Sequence, residues 1–239
     1  MIIIPARLES TRFPKKVLCD INGLPMVVQT ALNAKQIDDV VVACDDAQIE
    51  SVCRAHKIEC VITDKAHSSG TDRCAEAAIK LGLADDEVVI NIQADEPFLE
   101  HNVIETLRHL MEHKKPFMGT LAKVINEDDI GDANLVKVVL NAHNEAIYFS
   151  RAPIPFCRDK DCETLANILY LGHLGIYGYS AKSLKIFCTL PKSPLEEIEK
   201  LEQLRALYHR KVIALAIVET QSIGIDTQAD YKRILERFV

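Results

Sequence analysis

Ile2-Ile3-Ile4-Pro5-Ala6-Arg7-Leu8-Glu9-Ser10-Thr11-Arg12-Phe13-Pro14-Lys15-Lys16 decides the fold. A short, wholly apolar run predicts a strand buried on both faces, and it breaks at once into a loop. Arg7, Arg12, Lys15 and Lys16 crowd that loop against one acid, Glu9, in a chain whose net charge is −7. A dense positive cluster on an acidic chain points to an anionic ligand held at one place. After a first strand, that place is the carboxyl edge of a sheet, where open α/β folds bind nucleotides. A solvated basic loop remains the alternative on charge alone.

Working outward, short apolar runs alternate with helical patterns through the first half. Val40–Cys44, Glu59–Ile62 and Val88–Ile92 read as strands. Helices are predicted over 25–36, after a cap at Asp45 or Asp46, after a cap at Thr71, and through Val103, Leu107 and Leu110. Strands buried on both faces and separated by helices mean a largely parallel sheet. After about residue 117 strand-like pieces follow one another: Phe117–Val124, Val136–Leu140, Ala146–Ser150 and Leu169–Tyr179. Arg151–Asn167 reads as a loop or lid. A helix over 194–208 carries Ile198, Leu201 and Leu204 on one face. Val212–Val218 is a strand, and Tyr231, Ile234, Leu235 and Phe238 mark a last amphipathic helix. The expected fold is α/β: a Rossmann-like, mixed but mostly parallel sheet flanked by helices. It forms a single domain over 1–239 with a smaller mixed-sheet region inserted at about 117–190.

Composition is ordinary for a globular protein, at 48% hydrophobic and 26% charged. No run approaches the roughly 20 apolar residues of a membrane span. The apolar start is too short for a signal peptide, and its charge follows the apolar run. A cytoplasmic protein is expected, with its eight cysteines as free thiols. No C-x-x-C occurs, so no structural zinc site is expected. The acidic balance argues against nucleic acid. G-x-G-x-x-G, the Walker loop and G-x-S-x-G are absent. His109-Leu110-Met111-Glu112-His113 spells an inverted zinc-protease motif, but its histidines fall on the outer side of their helix, which reads as a solvated face.

The carboxylates carry more. Asp95 follows the buried run Val88–Ile92, with Pro97 ending the strand. Asp226 follows Ile223-Gly224-Ile225 and precedes a helix, where an N-cap role is equally open. Together they can hold Mg²⁺, which takes one or two carboxylates plus substrate oxygens. Cations and carboxylates on one sheet edge make a phosphoryl-transfer site.

Several motifs occur in a specific order. They are Pro5-Ala6-Arg7…Ser10-x-Arg12-x-Pro14-x-Lys16, His67-x-Ser69-Gly70-Thr71-x-Arg73, Gln93-x-Asp95-Glu96-Pro97 and Tyr148-Phe149-Ser150-Arg151. His173-Leu174-Gly175-Ile176-Tyr177-Gly178-Tyr179, Ser193-Pro194-Leu195-Glu196, Leu201-Glu202-Gln203-Leu204-Arg205 and Asp226-Thr227 complete the series. The ordered set resembles the sugar-activating cytidylyltransferases, and within them the 3-deoxy-D-manno-octulosonate (Kdo) cytidylyltransferase family, over nearly the whole chain. Lys15 and Ala94 stand where that family usually has glycine.

The resemblance implies the nucleotidyltransferase type of fold and transfer of CMP from CTP to Kdo with loss of pyrophosphate. It implies Arg7, Arg12 and Lys16 on the phosphates, with Arg7, Lys16, Asp95 and Asp226 catalytic. Asp95 and Asp226 would hold Mg²⁺, with a second ion during turnover. Pro5, Ala6, Ser69, Gly70, Thr71 and Gln93 would complete the CTP site. Kdo would meet Arg73 or Arg151 through its carboxylate, and Gln93, His173, Tyr177, Glu202 and Gln203 through its hydroxyls. A homodimer is also implied. The rival readings are a sialate-type cytidylyltransferase, a nucleotide-sugar glycosyltransferase and an inactive nucleotide-binding regulator.

Overall fold

The computed structural model describes the chain except residues 10–12, 159–169, 223, 226 and 239, and the side chains at 127, 235, 237 and 238. It divides into two compact units, Met1–Glu105 with Gln221–Val239, and Thr106–Thr220.

In the first unit, β1 (Ile2–Ala6) is buried at all five positions. Full burial of each isoleucine contributes about 1.5–3 kcal/mol, and Ile2, Ile3 and Ile4 are wholly inaccessible. A small hairpin, β2 (Asp20–Ile21) and β3 (Leu24–Pro25), leads to α1 (Met26–Ala34). β4 (Val40–Cys44), α2 (Ala47–Ala55), β5 (Glu59–Ile62), α3 (Gly70–Lys80) and β6 (Val88–Asn91) follow, and then α4 (His101–Lys114), whose residues from Thr106 on belong to the second unit. β1 pairs in parallel with β4 on one side and β6 on the other, and β4 pairs in parallel with β5. The chain thus builds outward from β1 to β5, then crosses back through α3 to β6. That reversal places a topological switch point at the carboxyl ends of β1 and β6.

The second unit holds β7 (Met118–Val124), β8 (Lys137–Leu140), β9 (Ala146–Ser150) and β10 (Leu171–Ser180). α5 (Ala181–Thr189), α6 (Pro194–Glu199), α7 (Leu204–Tyr208) and β11 (Ile213–Ile217) follow. β10 runs antiparallel to β7 and β8, β8 antiparallel to β9, and β11 parallel to β7. α8 (Gln228–Phe238) returns to the first unit, where Ile225 and Ile234 join Phe13, Ile21 and Met26 in a cluster. The expected mixed, mostly parallel α/β sheet with antiparallel additions is therefore present.

Several expectations need correction. The helix over 194–208 is two helices, because Lys200 takes a left-handed conformation (φ 55°) that ends α6. Ile198 is consequently exposed, while Leu201 and Leu204 stay buried. Asp46 caps α2 and Ser69, not Thr71, caps α3. α5 went unread, because β10 runs straight into it through a Ser180–Ser183 capping box. Cys157 is disulfide-bonded instead of free; Cys19, Cys44, Cys53, Cys60, Cys74 and Cys188 are free thiols. Most of the expected lid lies outside the described residues.

Candidate active site

In the first unit, the switch point holds a cavity of about 200 Å³ lined by Pro5, Arg7, His67, Ser68, Ser69, Gly70, Arg73 and Gln93. This is below the roughly 300–1,000 Å³ of a drug-sized site, so it suits one ring more than a whole nucleotide. Arg7 follows β1, Gln93 follows β6, and the 67–70 turn precedes α3. Gly70 packs closely there: a Cβ would come 3.1 Å from Pro5 Cγ, so Pro5 would have to give by a few tenths of an ångström. Ser69 accepts from the Asp72 N–H, which fixes the start of α3 beside the cavity. Ala6 and Thr71 are buried just behind this lining.

Lys16 Nζ lies 2.5 Å from an Asp95 carboxylate oxygen, with both side chains partly shielded. A cation and a hard oxygen donor thus stand at one point past β6. The Ile225 N–H donates to the Asp95 carbonyl at 2.9 Å, joining the stretch that leads to Asp226 to the Asp95 turn. Arg12 and Asp226 themselves lie outside the described residues. Lys15 adopts φ 53°, a left-handed backbone, which accounts for the family's glycine at this position. Ala94 is not among the described residues with positive φ.

Sequence reasoning missed Asp45. It follows β4 as Asp95 follows β6, and since Asp46 provides the helix cap, Asp45 is left for the site. Its two oxygens accept from the Leu8 N–H at 3.0 Å and from Arg73 at 3.3 Å. Arg73 also donates to Thr63 Oγ1 and the Asp64 carbonyl, and is almost wholly buried. Arg73 therefore lines the cavity with its guanidinium engaged by the protein. His67 was likewise read only as part of a motif. Its ring pairs with Glu76, which also accepts from the Asp64 N–H and pairs with Lys80. Partial burial pushes the Glu76 carboxyl up, but these partners outweigh it and hold the pKa at about 2.

The second unit contains a polar, uncharged cluster. His173 on β10 bonds Thr120 Oγ1 at 2.9 Å. The single hydroxyl hydrogen of Thr120 goes to the Ile176 carbonyl at 2.7 Å, so Thr120 accepts from His173 Nε2–H. His173 therefore keeps its lone pair on Nδ1. Burial pulls its pKa down to about 3, so the ring is neutral at ordinary pH. Tyr177 stacks near His173 and donates to Gln203 Oε1 at 3.2 Å. Burial, then Glu202, pushes the Tyr177 phenol up. Gln203 Nε2 is buried without a hydrogen-bond partner. An unsatisfied buried donor costs about 1–3 kcal/mol, so this amide has a hydrogen that an incoming hydroxyl could accept.

The remaining predicted residues sit elsewhere in this unit. Glu202 lies 3.6 Å from Arg205, whose main partner is Glu196 in a buried bidentate pair. Arg151 donates to the carbonyls of Ala133, Glu199 and Lys200, bracing the 133 and 199–200 segments. A neutral donor–acceptor cluster suits hydroxyls, whereas the charged first-unit cavity suits a nucleotide.

Comparison with known proteins gives the family. The cytidylyltransferase family profile matches residues 1–213. The chain is 51% identical over 243 residues to a 3-deoxy-manno-octulosonate cytidylyltransferase of Wolinella succinogenes, covering all of this chain and 99% of that protein. It is 55% identical over 239 residues to the protein of that name from Helicobacter pylori, covering 100% and 97%. Among solved structures, CMP:2-keto-3-deoxy-manno-octonic acid synthetase complexed with CTP superposes with a TM-score of 0.91 at 36% identity, over 99% of this chain and 96% of that one. A Leptospira borgpetersenii cytidylyltransferase shares the fold alone, at TM-score 0.62 and 13% identity, over 100% and 87% of the two chains. Full-length similarity and the switch-point geometry agree: the chain belongs to the cytidylyltransferase family, among the 3-deoxy-manno-octulosonate cytidylyltransferases.

Proposed function

We propose that this chain transfers CMP from CTP to Kdo, giving CMP-Kdo and pyrophosphate and so activating Kdo for lipopolysaccharide synthesis. The observation that carries the reading is the switch-point cavity of Pro5, Arg7, Ser69, Gly70 and Gln93, in the same unit as the Lys16–Asp95 pair. The anomeric oxygen of Kdo bonds to the α-phosphorus, the bond from that phosphorus to the bridging oxygen breaks, pyrophosphate leaves and the hydroxyl proton passes to solvent. Arg7, Arg12 and Lys16 hold the triphosphate and stabilise charge that grows on its oxygens. The 69–71 turn with Pro5 and Ala6 encloses cytosine. His173, Tyr177, Gln203 and Glu202 of the second unit bind Kdo hydroxyls, and Gln93 of the first unit contacts CTP.

The oxygen donors fit Mg²⁺: Asp95 stands beside a phosphate-binding lysine, and Ile225, next to Asp226, hydrogen-bonds its backbone. Asp95 and Asp226 would hold Mg²⁺, with a second ion during turnover; its charge would offset phosphate repulsion and lower the pKa of the sugar hydroxyl.

The enzyme acts in the cytoplasm as a homodimer. No helix among the described residues is long and apolar enough to cross a membrane. Six described cysteines are free, against one disulfide-bonded. Ile147, Phe156 and Ile198 leave apolar surface on the second unit for a partner copy.

Pyrophosphate release from CTP and Mg²⁺, compared with Kdo, a sialic acid and no sugar, tests the reading. Release with Kdo alone is expected. Release with the sialic acid alone overturns the sugar, and none at all overturns the transferase.

A further inference from the structure

The exposed face of α4 carries a constellation that the transferase reaction does not use. His109, Glu112 and His113 each offer one ligand atom within 4.8 Å of the others, and all three are exposed. The sequence places them on the outer side of the helix, and the structure agrees. The two imidazoles stand edge to face with centroids 4.3 Å apart. His113 Nδ1 lies 2.8 Å from the His109 carbonyl. A carbonyl only accepts, so Nδ1 carries the hydrogen and Nε2 presents its lone pair. Metal-ligating histidines are commonly prepared in this way, with the second ring nitrogen tied to a backbone carbonyl. Among the described residues, Arg108 Nε lies 3.9 Å from Glu112, too far to hold the carboxylate firmly.

We propose that this face binds one transition-metal ion of the Zn²⁺ and Ni²⁺ class through the imidazoles of His109 and His113 and the carboxylate of Glu112. Two nitrogens and one oxygen select such borderline ions over Mg²⁺, which prefers oxygen alone. Tetrahedral bonds of about 2.0–2.1 Å put ligand atoms about 3.3 Å apart. Solvent-exposed side chains reach that spacing from the present one by small χ rotations. Three protein ligands leave a further position for water. The motif's protease reading does not follow, because Glu112 is a ligand here and the three side chains stand in solvent.

The test uses the full-length chain, treated with chelator and titrated with Ni²⁺ by calorimetry, with the amide NMR spectrum followed in parallel. One saturable equivalent is expected, broadening amides around 109–113. His109→Gln/His113→Gln should lose that equivalent, with affinity down at least tenfold, the lower end of the effect of disturbing a metal's ligand support. Glu112→Gln should weaken binding less. Asp95→Asn should keep the equivalent, which separates this site from the Mg²⁺ site. Turnover with Mg²⁺ should be unchanged in the double histidine variant. No Ni²⁺ binding, broadening centred away from α4, or a double variant whose isotherm overlays the wild type would overturn the proposal.

Discussion

Replacing Asp45 by alanine should damage both stability and nucleotide binding, because one carboxylate holds two parts of the site. Its oxygens accept from the Leu8 N–H at 3.0 Å and from Arg73 at 3.3 Å, and the two side chains are only 14% and 4% exposed. A hydrogen bond to a charged group contributes about 1.5–3 kcal/mol, and the 3.3 Å contact belongs at the low end because it is long for an ionic bond. The alanine variant also leaves a buried guanidinium with only the neutral oxygens of Thr63 and Asp64. Breaking a buried pair from one side costs about 3–5 kcal/mol, so the combined loss is about 3–4 kcal/mol for this partly shielded pair. At about 2–4 °C per kcal/mol for a chain of this size, melting falls by about 6–16 °C. Asp45→Asn keeps an acceptor for Leu8 and removes only the charge, so about half the loss is expected. Arg7 adjoins Leu8, and CTP affinity measured by calorimetry should fall about tenfold in the alanine variant, a difference of about 1.4 kcal/mol. An alanine variant that melts within 2 °C of wild type would refute the energetic argument. One that melts lower but binds CTP as tightly would refute the link to the site.

Four further outcomes follow from the same geometry. Asp95→Asn should abolish pyrophosphate release while leaving CTP binding largely intact; turnover near wild type would remove Asp95 from the metal site. Arg205→Met leaves Glu196 buried without its bidentate partner and should cost about 3–5 kcal/mol in urea unfolding, most of it recovered by adding Glu196→Gln, which retains an acceptor for the capping contact at Ser193. His173 is neutral when folded, with a pKa of about 3, but takes a proton when unfolded. Stability present above about pH 6.5 should therefore fall as pH drops toward 3, by up to about 1.4 kcal/mol per pH unit; urea midpoints in His173→Gln should lose that slope, and an unchanged slope counts against the assignment. Lys15 sits at φ 53°, so Lys15→Gly should change stability by less than about 1 kcal/mol while β-branched Lys15→Val costs about 2 kcal/mol; equal melting of the two would contradict the strained-loop account.

The strands were legible because burial on both faces leaves few choices. Ile2–Ala6 and Val40–Cys44 are continuous apolar runs, and each is buried throughout. The helix ends were less so, since capping depends on which of two adjacent polar residues turns inward. Asp45 and Asp46 are indistinguishable as letters; in the fold one caps α2 and the other reaches Leu8 and Arg73. The break at Lys200 was hidden for a related reason. A lysine in the left-handed region leaves no composition signal, unlike glycine, and the apolar spacing of Ile198, Leu201 and Leu204 continues across it.

The site shows the same division between what local sequence states and what only the fold can assign. Arginines look interchangeable as anion receptors until their partners are known. Arg73 is engaged by Asp45, Thr63 and Asp64, and Arg151 by the carbonyls at 133, 199 and 200, whereas Arg7 is exposed at the mouth of β1. A guanidinium held by several fixed acceptors sets the shape of a site more than it captures a mobile anion. In the proposed reaction the phosphates would fall to the loop that follows β1, where Lys16 already faces a carboxylate. A lysine suits that place because it is a point charge on a flexible stem and can pass between carboxylate and phosphate, whereas an arginine fork would hold one partner rigidly.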